Sequence, residues 1–102
     1  VDVLLRIKRL VVARRVEVTR KAENERFRDG LSVEDVFESI LNANAIKKVL
    51  RSRSPDRVRP RERLYVIESP TFTGMWVYTK GTFRRREKQE VFYVFVSSKL
   101  AS

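Results

Sequence analysis

The sequence predicts an α+β domain in which N-terminal helices pack on a four-stranded antiparallel sheet. Three observations predict it. Apolar residues recur at helical spacing up to about residue 41, then give way to short β-branched and aromatic runs. The prolines Pro55, Pro60 and Pro70 fall between those runs, where a missing N–H breaks no ladder. The 102 residues, 42% of them hydrophobic, suffice for one core, so residues 1–102 form a single domain.

Taken in order, residues 3–13 carry Val3, Leu4, Ile7, Leu10 and Val11 on one helical stripe, with Arg6, Lys8 and Arg9 mostly off it. Val16-Glu17-Val18 alternates briefly. Thr19 is placed to cap a second helix through about Arg28, and Asp29-Gly30 supplies its left-handed stop. Ser32 with Asp35 three residues on is a capping-box variant, opening a third helix whose stripe is Val33, Val36, Phe37, Ile40 and Leu41. Asn42 and Asn44 suit its end. Strands are then expected over Lys47–Arg53, Arg63–Ser69 (RLYVIES), Met75–Lys80 (MWVYTK) and Glu90–Lys99 (EVFYVFVSSK). Gly81 is expected to open the last connection, with RRREK at its tip. The long apolar run of the final strand suggests a central strand covered on both faces. Within MWVYTK, Trp76, Tyr78 and Lys80 share one face and Met75 and Val77 the other.

Charge narrows the function. Charged residues make up 35%, and 23 basic against 13 acidic side chains give a net charge of +10. On so small a domain that balance points to a polyanionic partner, because each Lys or Arg on a phosphate releases condensed counterions. There is no Cys, so no disulfide framework or thiolate zinc site. There is no His, which excludes Ser-His-Asp and Cys-His catalysis and paired-His RNA cleavage. Acid–base chemistry falls to Glu, Asp, Lys, Tyr or Arg. No apolar run reaches membrane-spanning length, and VDVLLRIKRLVVARR lacks the unbroken core and cleavage site of a targeting segment. A cytoplasmic protein with no membrane partner is expected.

Several pieces, in order, resemble one family. KRLVV at 8–12, VEVTRKA at 16–22 and DGLSVEDVFESI at 29–40 are similar to the N-terminal half of the motility quorum-sensing regulator (MqsR-like) toxins. IKKV at 46–49, VYTK at 77–80 and SSK at 97–99 resemble that family's later patches. The resemblance implies a RelE-like fold and the toxin of a type II toxin–antitoxin pair. Such a protein is a small basic endoribonuclease that cleaves mRNA without metal or other cofactor, arrests growth, and is neutralised by a cognate antitoxin. Position by position, it places the family's catalytic Lys, Tyr and Lys on Lys48, Tyr78 and Lys99. The family's Gln falls in RLYVIES, where Tyr65 and Glu68 are the polar residues. The connection between Tyr78 and Lys99 is longer here because of RRREKQE.

The residues themselves can support such chemistry. RNA cleavage by internal transfer needs the 2′-OH deprotonated, the phosphorane stabilised and the 5′-oxygen protonated. Lys48, Arg51, Arg53 and Lys80 are candidates to neutralise the phosphorane. Tyr78 can serve as acid or base, Glu68 as base if it reaches the cleft, and Lys99 can hold a phosphate or donate a proton. Trp76 can stack a base or be a half-buried structural residue, and Tyr65 can likewise contact RNA. Arg84 and Arg85 lie on a solvated hairpin that steers phosphate. A non-catalytic RNA- or DNA-binding module, or a basic protein-interaction domain, fits the same scaffold. In KKVLRSRSPDRVRPRERLY at 47–65, two short strands flank a Pro55–Pro60 loop, so the charges form a basic rim beside Tyr78 rather than an Arg-Ser linker.

Overall fold

The computed structural model describes residues 2–53, 62–87 and 90–101; for Arg86 and Glu90 it describes the backbone. Among the described residues three helices and five strands follow one another as α1 (Val3–Val12), β1 (Val16–Val18), α2 (Arg20–Arg28), α3 (Val33–Asn42), β2 (Lys48–Arg51), β3 (Arg63–Pro70), β4 (Trp76–Arg86) and β5 (Glu90–Leu100). Among the described residues no helix is long and apolar enough to cross a membrane.

Each helix start follows from its cap. The Asp2 carboxylate accepts from the Leu5 N–H, and the Thr19 hydroxyl accepts from the Ala22 N–H. Ser32 and Asp35 form a reciprocal capping box, each side chain accepting the other's backbone N–H at 2.9 Å. Helices α1 and α2 stop in the same way. Gly30 (φ 72°) follows α2, with the Leu31 N–H reaching the Arg26 carbonyl and the Gly30 N–H reaching Phe27. Arg14 (φ 60°) plays the glycine's part after α1, where the Arg15 N–H meets Leu10 and the Arg14 N–H meets Val11. An arginine in the left-handed region is strained. It is held there by a guanidinium that lies 4.7 Å over the Phe37 ring and 3.1 Å from Glu34.

The sheet is mixed, not purely antiparallel, and has five strands, not four, in the order β1-β5-β4-β3-β2. Val16-Glu17-Val18 is the additional strand, running parallel to β5 opposite Tyr93, Val94 and Phe95. Three residues are too few for alternation to identify. What makes them a strand is the edge that β5 offers and the helix-side core that receives Val16 and Val18.

Strand β4 is the second correction. It does not end near Lys80 but runs through Gly81 and the arginines to Arg86, so Arg84 and Arg85 are strand residues and not a hairpin tip. Gly81 sits at a bulge, where the register with β5 slips between Lys80–Ser97 and Gly81–Phe95. It is glycine because of a close approach: a Cβ there would lie 2.5 Å from Tyr93 Cζ and 2.6 Å from its Cε2 and Oη. Alternation along β4 continues through the bulge: Tyr78 and Lys80 point away from the helices and Phe83 points toward them.

Helices cover one face of the sheet. Ile7 and Val11 of α1, Ala22 of α2, and Val36, Phe37 and Ile40 of α3 meet Ile67, Val77, Tyr93 and Phe95 there. The core is aromatic. Rings pass from Tyr65 to Phe83 (5.6 Å between centroids), Tyr93 (5.5 Å), Phe95 (5.2 Å) and Phe37 (6.1 Å). Strand β5 lies inside the sheet, as its long apolar run suggests, with helices on one face only. On the opposite face, which no helix covers among the described residues, Val66 and Val94 are also buried. Contrary to expectation, Pro70 is not between strands but is the last residue of β3, opposite Trp76; it lies beyond the last residue that β2 pairs, so its missing N–H leaves no bond unmade. The expected loop Pro55–Pro60 lies outside the described residues, whereas the strands on both sides of it are present, β2 being shorter than Lys47–Arg53.

Candidate nucleic-acid interface

The helix-free face carries most of the residues singled out by chemistry, in rows that cross the strands. Glu68, Tyr78 and Lys99 are direct neighbours on β3, β4 and β5. One row along, about 7 Å away, stand Lys48, Val66, Lys80 and Ser97. One row the other way, Trp76 lies opposite Pro70. The strand register, with its slip between Lys80 and Gly81, therefore gathers Lys48, Glu68, Trp76, Tyr78, Lys80 and Lys99 on one surface.

Their environments differ. The Lys99 ammonium lies 5.3 Å over the Tyr78 ring, a cation–π contact that parks the charge beside the phenol. Glu68 is half-buried and accepts from the Lys47 ammonium at 2.8 Å. Lys47, not its neighbour Lys48, is the lysine that meets this row. Trp76 is 55% exposed, so its ring is not the half-buried packing residue that the sequence allows as one reading.

Lys80 stands out among the cations. Burial, then the nearby Lys21 charge, push its ammonium below the usual lysine range; Glu25 opposes them and Lys99 adds a smaller push. Among the described residues it has no ion pair. It lines a groove of about 760 Å³ together with Lys21, Arg51, Arg53, Arg84 and Glu62, floored by Leu50, Leu64 and Val96. Arg51 and Arg53 are exposed at its edge. Arg84 is committed inside it, held by two bonds (3.2 and 3.3 Å) to the Glu62 carboxylate, which is 3% exposed. That pair keeps one arginine charge neutral, so the expectation of a free phosphate-steering Arg84 is corrected.

Tyr65 and Arg85 do not join this surface. Tyr65 is paired with Gly81, faces the helices, and packs on Phe83. With Arg85, Arg6 and Phe83 it borders a separate hollow of about 320 Å³. Of the two polar residues in RLYVIES, Glu68 is the one beside Tyr78.

One wall of the groove was hidden from strand logic. Helix α2 lies along β5 past the end of β1, fastened by Glu25, which accepts from the Ser97 hydroxyl (2.6 Å) and the Ser98 N–H (3.2 Å), and by Asp29, which accepts from the Leu100 N–H. The Ser98 hydroxyl donates to the Ala22 carbonyl. This docking brings Lys21 to the groove, where it is also bonded to Glu25 at 2.9 Å. Burial works to raise the Glu25 pKa, but the bonds from Ser97, Lys21 and Ser98 outweigh it and hold the carboxyl below its ordinary range. No local motif marks Lys21. The one signal was a polar Ser-Ser ending an apolar strand, which here receives a carboxylate from a helix.

The arrangement offers a flat, partly apolar floor, a ring of ammonium and guanidinium groups, one exposed indole, and a carboxylate, phenol and ammonium in register. Among the described residues no cluster of three or more His, Cys, Asp or Glu is suited to a metal ion. No protein-family model, curated protein or solved structure matches the chain.

Proposed function

We propose that this chain is an endoribonuclease acting on single-stranded RNA, the toxin of a toxin–antitoxin pair, with its site on the helix-free sheet face. The observation that carries the reading is the row Glu68–Tyr78–Lys99, a base, an acid and a cation on three adjacent strands. The net charge of +10 and the resemblance to MqsR-like toxins support it.

In this reading a phosphodiester lies across the row. Glu68 takes the proton of the 2′-OH, and the 2′-oxygen attacks phosphorus. Lys99 balances the added phosphorane charge. The bond to the 5′-oxygen breaks as Tyr78 donates its phenolic proton, leaving a 2′,3′-cyclic phosphate and a 5′-hydroxyl. Solvent then returns Tyr78 and Glu68 to their starting states. Glu68 must first exchange its Lys47 partner for the 2′-OH, so Lys47 regulates access to the base.

Induced expression is expected to arrest growth, and the purified protein to cut single-stranded RNA in EDTA. Tyr78→Phe should lower cleavage by about 10²- to 10⁴-fold and Lys99→Ala by about 10²- to 10³-fold, with folding intact. A folded wild type that leaves both growth and RNA untouched removes the enzyme reading. One observation favours a second reading, a non-catalytic single-strand-binding module: Glu68 is already ion-paired and Lys99 already engaged with the Tyr78 ring. Salt-dependent RNA binding without product distinguishes it.

A further inference from the structure

Trp76, Tyr78 and Lys80 project from the same face of β4 in three successive rows, about 7 Å apart. That repeat is comparable to one nucleotide of an extended single strand. The two end rows differ in kind. Trp76, 55% exposed opposite a proline, offers a free π-face at the rim. At the other end, Lys80 reaches into the groove beside Lys21, with no ion pair among the described residues and with apolar Leu64 and Val96 around it. A desolvated, unpaired ammonium next to a second one is stabilised by an anion placed between them. Glu25 engages Lys21 through one carboxylate oxygen and Ser97 and Ser98 through the other, and its charge partly offsets that of Lys80.

We propose that an extended nucleic-acid strand runs along β4, one nucleotide per row, with a base stacked on Trp76, the sugar-phosphate that reacts at Tyr78, and the next phosphate clamped by Lys80 and Lys21. The assignment of the middle nucleotide rests on the ribonuclease reading; the two ends do not. Stacking and phosphate clamping need no 2′-OH, so single-stranded DNA binds the same track and is not cut. An oligodeoxynucleotide is thus a non-cleavable probe of the track.

The chain contains a single tryptophan, so fluorescence excited beyond the absorption band of its three tyrosines reports on Trp76 alone. The experiment titrates wild-type protein with oligodeoxythymidylates of increasing length, following fluorescence and anisotropy at several salt concentrations. Quenching that accompanies binding is expected, with affinity rising up to about four nucleotides and then levelling. Lys80→Met should weaken binding and lower the salt slope by about 0.7, the share of one phosphate contact. Trp76→Leu should weaken binding about 5- to 150-fold, and Trp76→Phe, which keeps a π-face, should recover part of it. Binding without quenching, or a salt slope unchanged in Lys80→Met, overturns the track. So does RNA cleavage that proceeds at the wild-type rate in Lys80→Met and Trp76→Leu, an outcome that leaves the nuclease reading standing. Quenching and binding without any RNA cleavage sustain the track and remove the nuclease.

Discussion

Gly81→Ala tests the geometry that holds the proposed site in place. In an ordinary strand this replacement stabilises, because alanine loses less backbone freedom on folding, by about 0.5–1 kcal/mol. Here the sign should reverse. The new Cβ would stand 2.5 Å from Tyr93 Cζ and 2.6 Å from two more Tyr93 atoms, roughly 1 Å or more inside ordinary carbon–carbon contact at about 3.5–4.0 Å. Tyr93 cannot swing away, for its ring is fully buried between Phe83 and Phe95. Overpacking of this kind costs about 1–3 kcal/mol, which should outweigh the entropy gain and leave a net loss of about 1–2 kcal/mol. In a domain of this size that lowers Tm by roughly 4–16 °C. Urea denaturation followed by far-UV circular dichroism measures it, and the same substitution in a Tyr93→Leu background should approach neutrality. A stabilising Gly81→Ala, or an equal loss in both backgrounds, would refute the close approach as the reason for glycine.

Three further outcomes follow from named groups. The Tyr93 hydroxyl is buried with no hydrogen-bond partner among the described residues, and burial pushes its pKa far up. Tyr93→Phe should therefore be neutral or stabilising by up to about 1 kcal/mol, and a clear loss in urea midpoint would show that the hydroxyl is satisfied. Lys80→Met should raise stability at neutral pH while weakening nucleic-acid binding. The folded protein binds the Lys80 proton less tightly than the unfolded chain, so the charged ammonium opposes folding at neutral pH, and this penalty is relieved as pH rises through the depressed folded pKa toward 10.5. The advantage of Lys80→Met should accordingly shrink at alkaline pH; a gap independent of pH would count against the desolvation argument. Glu25, with a folded pKa below 4.5, contributes stability that is present above about pH 4.5 and lost as pH falls through the lower folded value. Glu25→Gln should flatten the acid limb of a thermal-denaturation series, and an unchanged limb would place the acid sensitivity in Glu23 and Asp29, whose pKa values are also lowered.

What was legible in the sequence was local. Caps at Thr19 and Ser32 and the Gly30 stop are set by side chains within three residues of their targets, so a short window suffices to read them. The same holds for parity within β4 up to Lys80, which grouped Trp76, Tyr78 and Lys80 correctly. Illegible features depend on contacts distant in the chain. β1 is a strand only because β5, some eighty residues later, offers an edge. Gly81 reads as a turn residue, yet its cause is a tyrosine on the next strand. The left-handed Arg14 carries no local signal, since its guanidinium partners Phe37 and Glu34 lie on α3.

The bulge at Gly81 is also why the site could be half-read. Continued parity beyond Lys80 would put Phe83 on the helix side and Arg84 with Lys80, and strand β4 does follow that pattern. It is β5 that absorbs the slip: Tyr93 and Phe95 face the core, and across the bulge Lys99 joins the opposite face while Ser98 turns to α2. Without the extra residue, Lys99 would stay in phase with Phe95 and lie under the helices, away from Tyr78. A single-residue insertion thus converts an apolar core strand into one that delivers a lysine to the helix-free face. The inserted residue is Val96, left without a partner between Lys80–Ser97 and Gly81–Phe95, and beyond it Lys99 stands beside Tyr78.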